Sequence, residues 1–424
     1  MYPQQTKTEQ ALAFFARKII AKYNPFIIGI TGSVGKTSAR HAIACVLREG
    51  HLVREPIKNY NNQIGIPLTI IGAKGVENSW PILGFLRVFV QALCVWLLPL
   101  PYPKILVLEY GIDKPNDMDQ LLAIAKPEVA VITTIGISHR EFFKDESEIA
   151  FEKGKLAAAL NSSGIFVFNH DDPNVAKQTD RTKAKPVSYG LKSGADVQLL
   201  QVTEQLGLRP KSTLQVAFKD LKLDIDLPAV GTAHVAAALA AVAVGYALKI
   251  PNHEIASGLS NYRVIPGRLN VIAGIKKTII IDDSYNAAPV SMKEALLLLS
   301  RFPVKHKVAV LGDMLELGPE SMDSHKGIGE LVAKLNIDQL YTVGELGKVI
   351  AESAKKNGFS ETKIKVFENS ELAGQYLREN LVTESVVLVK GSQGVRMEKI
   401  SKEILAEPGA ASKLLPRQDG KWVS

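Results

Sequence analysis

Cysteine is nearly absent: Cys45 and Cys94 are the only two in 424 residues, and neither belongs to a Cys-x-x-Cys pair. That excludes a disulfide framework and a cysteine-based metal site, and makes a reducing cytoplasm the simplest compartment. Blocks of like charge are missing too. Fifty-one Lys and Arg stand against 43 Asp and Glu, a net charge of +8 spread along the chain. Nucleic acid is therefore not an expected partner, whereas an anionic ligand or membrane surface suits the balance. The polar start MYPQQTKTEQ leads into an amphipathic stretch and lacks the apolar core and cleavage site of a secretion signal. What is present, 46% hydrophobic and 22% charged residues, is ordinary globular material, long enough for two or three domains.

From Phe26 onward, short Val/Ile/Leu runs alternate with stretches of helical period, which predicts an α/β fold with a mostly parallel sheet. The first runs are PFIIGI (25–30), KILVLEYG (104–111), EVAVITTIG (128–136) and GIFVFNHDD (164–172), each ending in the polar or Gly-rich residues where open α/β sheets place ligands. Alternation between Asp196 and Leu227 predicts antiparallel strands or an edge extension of the sheet. After an Ala-rich helix from His234 to Leu248 and the turn at Pro266–Gly267, a second series begins: TIIIDD (278–283), KVAVLGD (307–313), QLYTVG (339–344) and SVVLVKGS (385–392). The expected organisation is an N-terminal helical extension (1–25), a central domain (26–262) and a C-terminal α/β domain (263–424).

The segment 80–103 is apolar from Ile82 to Leu98 apart from Gly84, Arg87 and Gln91. Its 17 residues fall short of the roughly 20 a bilayer span needs, and Arg87 would be costly inside one. Two readings stay open. The segment is a hairpin or surface helix dipping into a membrane interface with Trp80 and Trp96 as anchors, or a helix buried in the first domain or at a dimer contact.

Strand, Gly-rich turn, Lys-Thr and helix follow one another in FIIGI-TGSVGKTS (26–38), the context of a phosphate-binding loop. Gly32 and Gly35 let the backbone amides of Gly32, Ser33, Val34, Gly35, Lys36, Thr37 and Ser38 face a phosphate at the positive end of the new helix. Lys36 can reach the terminal phosphates and the Thr37 hydroxyl can bind Mg²⁺. The strict G-x-x-x-x-G-K-[ST] pattern fails by one position, because Ile30 stands where its first Gly belongs. Glu109 and His139 each follow an apolar strand and are expected beside this loop. Taken alone, Glu109 reads equally as a strand-end charge, His139 as a helix cap and Lys153 as part of a solvated helix face.

The loop, together with NYNNQIGIPLT (59–69), LEYG (108–111), TTIGISH (133–139), EKGK (152–155), DDSYNAAP (282–289), LGDMLELG (311–318) and LVKGSQGVRMEKI (388–400), resembles the Mur ligases, ATP-dependent amide-bond-forming enzymes of peptidoglycan synthesis. The likeness implies a P-loop central domain joined to a Rossmann-like C-terminal domain, with ATP and Mg²⁺ as cofactors. SYNA-P, GDMLELG and KGS-G-RME are most similar to the members that join D-alanyl-D-alanine to a muramoyl tripeptide.

By that resemblance Thr37, Glu109, His139 and Lys153 hold metal, with Lys153 carbamylated. Lys36, Lys153, Arg268 and His139 form the catalytic set, and Arg268, Asp283, Tyr285 and Asn286 contact the nucleotide. Asn61, Asn62, Asp313, Glu316, His325, Lys390, Ser392 and Arg396 face the cleft and position substrate, here a muramoyl-peptide acceptor and D-alanyl-D-alanine. A monomer is expected, cytoplasmic or peripheral on the inner face of the membrane through 80–103.

Three positions and the short start depart from the usual wording of that subfamily. Lys155 replaces a Glu and makes the metal site more positive, Ala237 and Ala288 replace Asn residues near the nucleotide, and only some 25 residues precede the loop strand, leaving no room for the customary UDP-sugar domain. Ligases acting on other substrates, as in folylpolyglutamate, poly-γ-glutamate or cyanophycin synthesis, form one alternative. A nucleotide-binding protein that has lost ligation forms another.

Overall fold

The computed structural model describes residues 6–75, 81–136 and 141–418. Two sheets organise them. The first has nine strands: β1 (Phe26–Thr31), β2 (Val53–Arg54), β3 (Ile105–Glu109), β4 (Val129–Ile132), β5 (Ile165–Asn169), β6 (Lys185–Gly190), β7 (Val197–Gln205), β8 (Lys211–Phe218) and β9 (Leu221–Leu227). Their order is β2-β3-β1-β4-β5-β6-β7-β8-β9. Pairing is parallel from β2 to β7 and antiparallel from β7 to β9.

The change of pattern in the sequence is thus a change of strand direction. The central parallel strands β1, β3, β4 and β5 are apolar runs because helices cover both faces, whereas β9, LKLDIDL, alternates between exposed and buried. β1 lies between β3 and β4, so the connections leaving its carboxyl end and those of its neighbours diverge, which opens a crevice there.

Helices α1 (Lys7–Tyr23), α2 (Lys36–Arg48), α3 (Gly65–Ile71), α4 (Pro81–Leu97), α5 (Asp117–Ile124), α6 (Glu146–Ala158) and α7 (Pro173–Ala176) precede α8 (Thr232–Ala247) and α9 (Asn252–Ser260). α8 and α9 return to pack on α2. The small side chains of TAHVAAALAAVAVGYA let α8 lie deep in the core, with eleven of its residues buried. α1 opens with a capping box between Thr6 and Glu9 and packs on α3 and α4.

The insert is a single helix. Val88, Ala92 and Val95 of α4 are buried in the core cluster shared with α1 and α3, and the Lys22 ammonium and Tyr23 hydroxyl of α1 donate to carbonyls at its end. Leu83, Leu86, Val90, Leu93 and Leu97 are exposed. One face of the segment thus serves as core, as the buried-helix reading expects, and the other is open; Trp80, offered as an anchor, lies outside the described residues.

The second sheet has six strands: β10 (Asn270–Ala273), β11 (Ile279–Asp283), β12 (Lys307–Gly312), β13 (Gln339–Val343), β14 (Ile364–Phe367) and β15 (Val386–Lys390), in the order β10-β11-β15-β12-β13-β14. All pairs are parallel except the edge strand β10. Apolar clusters fill both of its faces, one of them built around α10 (Pro289–Arg301) and α11 (Ser321–Lys334).

Candidate active site

The carboxyl ends of β1 and β3 and of β11 and β15 border one cleft of about 680 Å³, entered from both sheets. On the first side, the loop after β1 bends through Gly32 at φ +150° and reaches α2 through Gly35 at φ +85°. A Cβ on Gly32 would stand 2.0 Å from Thr133 Oγ1, so only glycine fits beneath the segment that follows β4. That segment braces the loop. Ser33 N–H donates to the Thr134 carbonyl (2.8 Å) and Val34 N–H to Thr134 Oγ1 (2.9 Å), while Thr133 Oγ1 donates to the Val34 carbonyl (2.6 Å).

No side chain caps α2, so its first amides and partial positive charge stay available to an anion. The Lys36 ammonium lies folded back on the Gly32 carbonyl (2.6 Å). Burial first, and the nearby Arg268 guanidinium after it, push its pKa below the ordinary lysine value against the opposing pull of Glu109 and Asp113. A polyphosphate would reverse that deficit.

Glu109, at the end of β3 and 1% exposed, accepts from the Thr37 hydroxyl (3.0 Å) and from Asn61 Nδ2 (3.1 Å). Asn61 is itself anchored, its carbonyl accepting from Gly111 N–H (2.8 Å). Asn62 Oδ1 instead accepts from the Ile64 and Gly65 amides, shaping the entry to α3. Among the described residues no three His, Cys, Asp or Glu side chains converge as a metal cluster. The hydroxyl and carboxylate oxygens of Thr37 and Glu109 are the hard donors Mg²⁺ takes alongside water and phosphate, so the residues fit a nucleotide-bound Mg²⁺. His139, expected as a further ligand, lies outside the described residues.

Lys153 is buried in α6 and does not border the cleft. Burial and the charge of Lys36 depress its pKa well below the lysine value, which favours a neutral amine. The unusual Lys155 does not make this region more positive in the way its sequence suggested: its ammonium pairs with Glu152 (2.7 Å) and Asp119 (2.5 Å).

On the opposite side, Arg268 spreads its guanidinium over the Tyr285 ring at 4.1 Å, and its buried Nε has no hydrogen-bond partner among the described residues. An unpaired cationic donor at the cleft edge suits phosphoryl oxygens. Its carbonyl accepts from His234 Nε2 (2.9 Å), while His234 Nδ1 faces the Tyr262 hydroxyl (3.0 Å). Burial holds the His234 pKa down at about 4. Asp283 Oδ2 is paired with the Lys390 ammonium (2.6 Å), and that ammonium also donates to the Asn286 carbonyl (2.9 Å). Lys390 lines the cleft and fixes the turn carrying Tyr285 and Asn286, where the resemblance expected it to position substrate.

Glu316 and Ser392 line the cleft, and Ser392 Oγ accepts from Leu315 N–H (2.8 Å). Three expected substrate residues do not line it. His325, buried in α11, accepts at Nε2 from Met314 N–H (2.9 Å) and bonds through Nδ1 to the Ser321 carbonyl (2.6 Å), which holds the 313–317 turn from behind. Asp313 turns away to accept from Gly347 N–H (2.7 Å). Arg396 is paired with buried Glu398 (2.6 Å). Each side chain is engaged by the fold, and spacing along the chain does not reveal such partners.

Sequence reasoning missed Asn59, Asp113, Phe142, His234 and Glu294, all of which line the cleft. His234 carried a signal, since it stands in the first turn of a helix that otherwise contains only apolar and small residues.

Comparison with known proteins agrees with this geometry. A family model described as the Mur ligase middle domain matches residues 99–245, and one described as the Mur ligase, glutamate ligase domain matches residues 267–393. The UDP-N-acetylmuramoyl-tripeptide--D-alanyl-D-alanine ligase of Bacillus subtilis (strain 168) is 30% identical over 402 residues, covering 95% of this chain and 80% of that protein. Among solved structures, MurF ligase from Thermotoga maritima in complex with ADP is 26% identical with a TM-score of 0.77, covering 95% of this chain and 84% of that one. MurF from Acinetobacter baumannii, at 24% identity and a TM-score of 0.78 over 96% of this chain and 84% of its own, shares the fold. The chain belongs to the Mur ligase family.

Proposed function

We propose that this chain is an ATP-dependent amide ligase of peptidoglycan precursor synthesis that joins D-alanyl-D-alanine to the terminal carboxylate of a muramoyl tripeptide. The observation carrying this reading is the convergence of the 32–37 loop, the Thr37–Glu109 pair and Arg268 on one cleft bordered by both sheets. The names of its relatives supply the two substrates.

An amide ligase first brings a carboxylate against the γ-phosphorus of ATP. The carboxylate oxygen bonds to phosphorus as the bond to ADP breaks. The amine nitrogen of the second substrate then attacks the acyl carbon, phosphate leaves, and the ammonium so formed loses a proton. Repulsion between the anions is the main obstacle, and positioned cations relieve it. Lys36 and the first amides of α2 hold the phosphates. Thr37 and Glu109 would hold Mg²⁺, which supplies charge neutralisation between the two anions. Arg268 covers developing phosphoryl charge from the other side, and His234 holds its backbone in place. Burial lowers the Lys153 pKa, which favours the amine form that adds CO₂, and a carbamate there would set a negative charge beside Lys36. Asp283, Tyr285 and Asn286 receive the nucleoside, with Lys390 fixing their turn.

Residues 26–262 and 263–424 act as the two lobes in this reading. A monomer works in the cytoplasm, with the inner face of the membrane as its neighbour through 80–103. Phosphate release from MgATP tests the reaction. Release that requires both a muramoyl tripeptide and D-alanyl-D-alanine is expected. Release that requires a different amine, or none with any acceptor, overturns it.

A further inference from the structure

α4 has the composition of a core helix, yet only one side of it is covered. Leu83, Leu86, Val90, Leu93 and Leu97 are each between 43% and 60% exposed. At 3.6 residues per turn they fall within about 80° of arc and form one continuous stripe along the outer face. Leu98 and Leu100 prolong it beyond the helix end, and Phe14 of α1 borders it through an edge contact with Trp96. An aliphatic stripe of this length is not a scatter of single exposed residues.

Charge selects the occupant. No acidic residue occurs between Glu77 and Glu109. α1, which packs alongside, carries Lys7, Arg17, Lys18 and Lys22 against the single acid Glu9. Lys18 sits over the Phe14 and Trp96 rings at 5.5 and 5.9 Å, at the rim of the stripe, and exposed Arg87 borders it on α4 about 40° from Leu83. A two-fold contact between copies would set these cations against themselves, whereas anionic headgroups would neutralise them while the aliphatic side chains enter the acyl boundary. No helix of the described residues is long and apolar enough to cross a membrane, so α4 would lie in the interfacial plane.

We infer that the outer face of α4, flanked by the cations of α1, docks the enzyme on an anionic phospholipid surface. The docking deepens the membrane side of the reading above, and its test does not depend on turnover. Flotation of the full chain is measured with vesicles of equal phosphatidylglycerol and phosphatidylethanolamine, and with vesicles of phosphatidylcholine alone. The variants are Leu86→Gln with Leu93→Gln, and Lys18→Gln with Arg87→Gln. All of these side chains are exposed, and unchanged phosphate release in vesicle-free solution confirms the fold.

Binding to the anionic vesicles is expected, reduced at least about tenfold by either variant and also weakened by salt or by phosphatidylcholine. Three results overturn the inference: negligible binding of the parent chain, equal binding of parent and variants, or a dimer in light scattering that Leu86→Gln with Leu93→Gln converts to monomer.

Discussion

Acidification tests the tie between the two sides of the cleft. His234 lies in the first turn of α8, 1% exposed, and its ring spans the gap from the Tyr262 hydroxyl to the Arg268 carbonyl. The contact to the carbonyl requires a proton on Nε2, which leaves Nδ1 of the neutral ring to accept from Tyr262. A second proton would put a charge where water does not reach. Burial therefore lowers the folded-state pKa from 6.5 to about 4, against the smaller favourable pull of the Arg268 carbonyl and Asp283.

Because the unfolded chain takes up this proton first, stability is fully present above pH 6.5 and is lost progressively as pH falls toward 4. At about 1.4 kcal/mol per pH unit, the fall from pH 7.5 to about 4.5 costs about 2.5 kcal/mol through this residue alone. His234→Gln cannot take up the proton, although it loses some stability at every pH. Urea unfolding of both proteins at the two pH values isolates the effect, because all other titrating groups are common to the pair. The wild type is expected to lose about 2.5 kcal/mol more than the variant on acidification. Equal losses would refute the reasoning.

Gly32→Ala forces a methyl group against Thr133 Oγ1 and the Thr134 backbone; nucleotide affinity is expected to fall about tenfold or more, with partial recovery in the double variant that adds Thr133→Ala, as titration calorimetry would record. Arg268→Lys gives up the planar fork and the stacking on Tyr285. Its kcat is expected to drop about tenfold to a hundredfold while KM for ATP changes less, and a change confined to KM would contradict a role in phosphoryl transfer. Carbon-13 bicarbonate is expected to yield a carbamate resonance that disappears in Lys153→Arg, and a spectrum with no such resonance would remove the carbamate.

Much of the architecture was legible because most parallel strands are bounded aliphatic runs and the change of direction from β7 to β9 is marked by alternation. β2, β6, β10 and β14 were not. They are short, and KPVSYG or IKVF has the composition of a loop; pairing with a neighbour makes each a strand.

The turn of residues 32–37 was legible because its pattern is local, glycines and a lysine between a strand and a helix. The residues around the second sheet were legible as motifs but not as roles. His325 and Arg396 occupy motif positions, yet the fold uses them to brace a turn and to neutralise Glu398, and those partners come from contacts no linear pattern encodes. Conversely His234 gains its importance from Arg268, 34 residues away. The departure at Lys155 was visible, but its compensation by Asp119 on α5 was not.

The central claim is that Lys36, the amides opening α2 and the Thr37–Glu109 pair bind the phosphates of an adenine nucleotide with magnesium. Calorimetric titration of the full chain with ADP in the presence and absence of Mg²⁺ tests it most directly. Binding is expected that strengthens with Mg²⁺ and weakens at least about a hundredfold in Lys36→Ala, where a buried phosphate charge loses its partner. Heat-silent titrations, or an affinity indifferent to both Mg²⁺ and Lys36, would contradict the account.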